Sequence, residues 1–99
     1  MARKKEKFSS YDVTDYLNSE EDLAAYLDAC MEEAGDDAKY IAAALGDVAR
    51  ARGMAQLAKD TGISREGLYK ALSPDGNPSL ATVLKVVKAL GLKLTAKVA

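Results

Sequence analysis

Apolar side chains recur along most of this chain at three- and four-residue spacing, the period at which they share one side of a helix. Leu23, Tyr26, Leu27, Cys30, Met31 and Ala34 form the first such stripe. Ser19 stands before it as an N-cap, and Glu20, Glu21 and Asp22 fill the first turn, where the helix dipole favours negative charge. Gly35 supplies the stop. A second stripe, Ile41, Ala44, Leu45, Val48 and Ala49, is capped by Asp36 or Asp37 and ends at Gly53 after Arg50 and Arg52. Its alanines favour helix and permit close approach of a neighbour, while Gly46 costs a little. Two short helices follow, Met54–Thr61 closed by Gly62 and residues 65–72 capped by Ser64. The stretch Ser73-Pro74-Asp75-Gly76-Asn77-Pro78 cannot be helical and predicts a turn with an extended step. Ser79 caps a last helix whose Leu80, Val83, Leu84, Val87 and Leu90 are expected to face inward. Gly91 ends it, and Leu92 can pack back on Val87.

Beyond Gly91 the period changes. Leu92, Leu94, Ala96 and Val98 alternate with Lys93, Thr95 and Lys97, which predicts a strand. A lone strand leaves its backbone unpaired, so its partner is expected to be residues 11–13 or the same strand of a second chain. The predicted fold is therefore all-α, five helices with a short C-terminal β-strand. The chain of 99 residues has room for one core, expected over residues 11–99 behind a flexible basic tail at 1–10.

Composition narrows the function. With 48% hydrophobic and 29% charged residues and two prolines, the chain has the make-up of a folded soluble domain. No apolar run approaches the ~20 residues of a membrane span, and the basic start leads into Ser, Tyr and Asp rather than the apolar stretch of a signal peptide. The single Cys30 excludes an intramolecular disulfide and fits a reducing cytoplasm, the expected location. It sits within the first apolar stripe, which favours packing over reactivity. The absence of histidine removes the usual general base, the Ser–His and Cys–His pairs and most zinc sites. No catalytic residue, metal or cofactor is expected.

The net charge of −1 hides three blocks. Arg3, Lys4, Lys5 and Lys7 face only Glu6 at the start. Residues 8–38 carry ten acidic side chains and no basic one. From Lys39 onward ten lysines and arginines face four acids. Such asymmetry fits two surfaces for two oppositely charged partners, a polyanion and a basic protein. On charge alone, two solvated helix faces that keep the chain soluble are the simpler reading.

The most specific segment is Leu57-Ala58-Lys59-Asp60-Thr61-Gly62-Ile63-Ser64-Arg65-Glu66-Gly67-Leu68-Tyr69-Lys70. Two helices crossing steeply need a small residue where they touch, and Ala58 is one. Their turn needs a residue tolerant of positive φ, hence Gly62, while Ile63 and Leu68 can lock the second helix onto the core. The segment resembles the helix-turn-helix of phage-repressor-like proteins, in which the second helix enters the major groove. The likeness extends through Asn77-Pro78-Ser79-Leu80 and the last helix. From Ala42 to Gly91, with Leu45-Gly46-Asp47-Val48-Ala49-Arg50-Ala51-Arg52-Gly53-Met54 and Leu72-Ser73-Pro74, the chain is similar to addiction-module antidotes of the HigA type. The opening Tyr11-Asp12-Val13-Thr14-Asp15-Tyr16-Leu17 and the acidic first helix fit that family too.

That resemblance implies an antitoxin that binds its own operator as a homodimer and neutralises a small basic toxin, typically an mRNA-cleaving protein of the RelE/ParE type. On this chain it implies DNA contacts from Ser64, Arg65, Glu66, Tyr69 and Lys70, with Lys59, Lys70 and Asn77 at phosphates. Arg65 matches guanine O6 and N7, at about 1–3 kcal/mol of discrimination, or holds a phosphate. Tyr69 meets a thymine methyl or a phosphate, or packs on the turn; Glu66 accepts from cytosine N4 or complements the helix dipole. Gly67 inside a short helix implies close approach, to DNA or to the preceding helix. One position departs from the pattern: repressors of this type place Gln four residues before the crossing alanine, where this chain has Met54, with Gln56 nearby. The implied toxin-facing residues are Tyr11, Asp12, Asp15, Tyr16, Glu20, Glu21, Asp28 and Glu32, acids that otherwise serve only as caps and solvated charge. Tyr26 is a further anchor or part of the core. The alternatives are a phage-type regulator without a toxin, a helical interaction domain that has lost DNA binding, and an enzyme, for which no convergent acidic cluster is visible.

Overall fold

The computed structural model describes residues 17–98, whose secondary structure is five helices: α1 (Glu20–Ala34), α2 (Ala38–Arg52), α3 (Met54–Thr61), α4 (Arg65–Ala71) and α5 (Leu80–Ala89). The start of each helix follows local chemistry. Ser19, Asp37, Ser64 and Ser79 each accept a backbone N–H from the first turn, from Asp22, Tyr40, Gly67 and Thr82 respectively. Of the two candidate caps for α2, the fold uses Asp37. At the other ends Gly53, Gly62 and Gly91 hold φ of 110°, 76° and 79°, a region that β-carbon-bearing residues avoid. After α5 the Gly91 N–H donates to the Lys88 carbonyl and the Leu92 N–H to the Val87 carbonyl, the paired bonds of a Schellman stop.

The core lies where α3 meets α2, α4 and α5. Val48, Leu57, Leu68, Val86 and Leu90 are completely buried there, ringed by Leu23, Leu45, Ala49, Met54, Leu72 and Val87. α1 packs chiefly along α2. Tyr26 crosses that seam, half-buried, and its hydroxyl donates to Asp47 Oδ2 at 2.6 Å, while Arg50 Nη2 donates to Asp47 Oδ1 at 2.5 Å. At the hairpin end the Tyr40 hydroxyl donates to Glu33 Oε1 at 2.7 Å. Cys30 lies buried under this seam, where loss of hydration pushes its thiol up from the ordinary value. Gly46, which sequence alone marks only as a small cost, is buried where a Cβ would run into the Leu72 carbonyl oxygen. The glycine lets α2 and the end of α4 touch.

Three expectations need correcting. The C-terminal β-strand is not seen: residues 92–98 form no strand, because no described part of the chain offers an edge to pair with. Its proposed partner at residues 11–13, like the basic tail at 1–10, lies outside the described residues. Leu80 and Leu84 do not face inward but are 68% and 48% exposed, and Val86 takes a buried place instead. The inward side of α5 is that of Val86, Val87 and Leu90, and Leu80 and Leu84 lie to one side of it. Met31 likewise leaves the first stripe and stands 51% exposed, on the flank of α1 away from α2.

The two tyrosines at the α1–α2 seam give stability a pH dependence. Burial first, then the bond to Asp47, pushes the Tyr26 phenol well above its usual value, and the Glu33 bond pushes Tyr40 up to about 12. A raised phenol pKa means the folded chain holds that proton more tightly than the unfolded chain, so the stabilisation is full below pH ~10 and is lost as pH rises through the folded values. The urea midpoint is expected to fall between about pH 10 and 12, and Tyr26→Phe to flatten that fall. A midpoint in the parent chain that stays constant over this range would contradict the assignment.

Candidate functional site

The segment between α3 and α4 is fixed from both sides. Thr61 Oγ1 donates to the Leu57 carbonyl at 2.8 Å and accepts from the Ile63 N–H at 3.2 Å, which ties the end of α3 to the turn. Gly62 makes the left-handed step, and Ser64 Oγ accepts from the Gly67 N–H at 3.0 Å to open α4. Behind the turn Leu57 and Leu68 are fully buried, with Ile63 and Ala58 packed against them. The roll of α4 about its axis follows. With Leu68 and Leu72 inward, Glu66, Tyr69 and Lys70 are turned out, and Arg65 stands one turn before Tyr69.

Arg65, Glu66, Tyr69 and Lys70 are all exposed, Tyr69 to 48%. Lys59, in the last turn of α3, and Asn77, in the α4–α5 connection, are exposed as well. Among the described residues no ion pair holds Lys59, Arg65 or Lys70, nor joins Glu66 to Lys70 despite their four-residue spacing. Ser64 is exposed; its oxygen accepts the Gly67 N–H as a cap, and its hydroxyl proton is left to donate. Gly67 is explained within the turn: a Cβ there would stand 3.1 Å from Ser64 Oγ and 3.2 Å from Ile63 Cγ2. Its missing side chain makes room for the cap, and the neighbour it approaches is the turn itself. Tyr69 also forms one wall of a groove of about 280 Å³ with Gly46, Asp47, Arg50, Met54 and Pro74.

Met54 is buried, filling the core at the start of α3, and Gly53 gives that helix no side-chain cap. Gln56 Nε2 donates to Asp60 Oδ1 at 2.9 Å along the helix surface, so Gln56 does not serve as the missing cap. Thr61 is the residue that sequence reading missed. Its signal was available: a hydroxyl just before a helix-ending glycine can bond back to the preceding turn.

On the acidic side, Glu21, Asp28 and Glu32 share one exposed stripe of α1, at seven- and four-residue spacing. Glu20 is turned aside, its carboxylate against Gly91 at the end of α5. Tyr26 belongs to the α1–α2 seam. Tyr11, Asp12, Asp15 and Tyr16 lie outside the described residues. Among the described residues no cluster of Cys, Asp or Glu is arranged to hold a metal, and no helix is long and apolar enough to cross a membrane.

Residues 7–98 match the family described as "Probable addiction module antidote protein". The chain belongs to this antidote family. It is also 54% identical over 88 residues to an uncharacterized protein of Haemophilus influenzae, with 89% of each chain covered. No solved structure matches it significantly. Antidotes are not enzymes, and membership of the antidote family implies a toxin as partner.

The cap under α4 can be tested directly. Ser64→Ala is expected to cost about 1 kcal/mol by removing the acceptor for the Gly67 N–H. Chemical denaturation measures it, and an unchanged midpoint would contradict the role given to Ser64.

Proposed function

We propose that this chain is a HigA-type antitoxin of a type II toxin–antitoxin module, working in the cytoplasm. It neutralises a small, basic, mRNA-interferase-like toxin by direct binding and represses its own operon by binding operator DNA. In this reading α3 and α4 are a phage-repressor-like helix-turn-helix, carried by one domain over residues 11–99. The observation that carries it is the outer side of α4. Arg65, Tyr69 and Lys70 are exposed around a fully buried Leu68, and no ion pair holds them among the described residues. Arg65 reads a base edge; Lys59, Lys70 and Asn77 hold phosphates; Tyr69 contacts a base or phosphate from the rim of its groove. Glu66, in the first turn of α4, complements the helix dipole. Ser64 sets the helix start and has a hydroxyl proton for a phosphate.

Operators of two-fold symmetry are bound by two-fold dimers, because one such helix covers only a few base pairs. The face given to the second copy is that of Leu80 and Leu84, one turn apart on α5 and left outside the core. Glu21, Asp28 and Glu32 on α1 and the segment holding Tyr11, Asp12, Asp15 and Tyr16 are given to the toxin. Membership of an antidote family favours this over a regulator without a toxin.

Binding to the promoter upstream of the gene tests the DNA half. Arg65→Ala is expected to relax discrimination between operator and altered sequences, whereas Lys59→Ala weakens all sequences evenly and lowers the salt slope by about one. Arg65→Ala that discriminates like the parent chain would remove Arg65 from the recognition role. Leu84→Asp is expected to convert a dimer to a folded monomer by sedimentation and to lose operator binding; a variant that remains dimeric would exclude this face.

A further inference from the structure

One side of α1 is left without a partner among the described residues. The helix commits Leu23 and Cys30 to the interior and Tyr26 to the bond with Asp47 on α2. At 100° per residue, Met31 falls on the opposite flank of Cys30 from Tyr26, one turn beyond Leu27 and two beyond Ala24. These three make an apolar edge that rises from half-buried Leu27 to Met31, 51% exposed. Directly beside that edge runs the carboxylate stripe of Glu21, Asp28 and Glu32. An unbranched thioether standing free beside acids has the character of an adaptable anchor, since methionine fits irregular apolar recesses.

We propose that this face of α1 is where the toxin docks, the helix lying in an apolar cleft bordered by lysines and arginines, with Met31 seated in the cleft. The proposal rests on the antitoxin reading above and narrows it to one surface. Charge chooses the occupant. No basic residue stands between positions 8 and 38, so nucleic acid is repelled from this face, and a symmetric second copy would set carboxylate against carboxylate. A cationic protein surface is the complement. The 15-residue helix is about 22 Å long, enough to present anchors over four turns to a groove. Glu20 is no part of it, because its carboxylate is turned to Gly91.

The test measures binding of the full chain to the purified product of the adjacent reading frame, at low and high salt, with operator binding as the check on folding. Asp28→Lys with Glu32→Lys is expected to lower affinity about 100-fold, mainly through the association rate, and to abolish its salt dependence. Met31→Ala is expected to speed dissociation about tenfold with little change in association. Asp75→Lys, a charge reversal outside this face, is expected to bind like the parent chain. If the parent chain binds and both α1 variants match it while holding operator, the docking surface is wrong and the antitoxin reading stands. If the parent chain itself does not bind, both fall.

Discussion

The joint burial of Leu57 and Leu68 in one core, where α3 meets α4, is the constraint on which the rest of the molecule turns. α4 has seven residues, too few to be stable by its own backbone bonds, so its position is set by what it packs on. Leu68 is its one completely buried side chain, and it belongs to the same core cluster as Leu57, Val86 and Leu90. Around that cluster, the Thr61 bonds, the left-handed Gly62 and the Ser64 cap remove the remaining freedom of the turn. The exposed outer row of α4 is the consequence: a helix pinned by one leucine has its other sides decided.

The acidic and basic surfaces are carried by different layers of the same fold. α1 rests chiefly on α2, and its seam is closed by the Tyr26–Asp47–Arg50 bonds, whose strength comes from a partly dry setting and a charged acceptor. α3 packs against α2, α4 and α5. The acidic block of the chain therefore falls largely on α1 and the basic block on the helices after it. Such an arrangement can serve a basic protein and a polyanion without either charge cancelling the other, which is what the proposed antitoxin requires.

Much of this was legible in the sequence because the signals are local. Serine or aspartate before an apolar stripe, and glycine after it, mark helix ends through bonds made within four residues; Ser19, Ser64, Ser79, Gly53, Gly62 and Gly91 do what their positions predict. Less legible was anything decided by a distant neighbour. Periodicity puts Leu80, Leu84 and Met31 on apolar stripes, but which part of a stripe is covered depends on how the neighbouring helices sit, and these three are left exposed. The alternation after Gly91 is a correct statement of preference, yet a strand exists only where an edge meets it, and the described chain has none. Gly46 looked like a local cost and Gly67 like a close approach to DNA or the preceding helix; one clears the Leu72 carbonyl and the other the Ser64 cap. The exposed set on α4 was legible because it is the complement of Leu68 and Leu72, whereas the engagement of Gln56 with Asp60 was not.

The central claim is that the outer side of α4 enters duplex DNA while α1 stays clear of it. Titrating the full chain with its upstream operator duplex, and following backbone amide resonances, measures both halves at once. The account predicts shifts concentrated at residues 59–70 and around Asn77, with the amides of α1 unmoved. Shifts centred on α1, or none at all at an operator concentration that saturates comparable repressors, would contradict it.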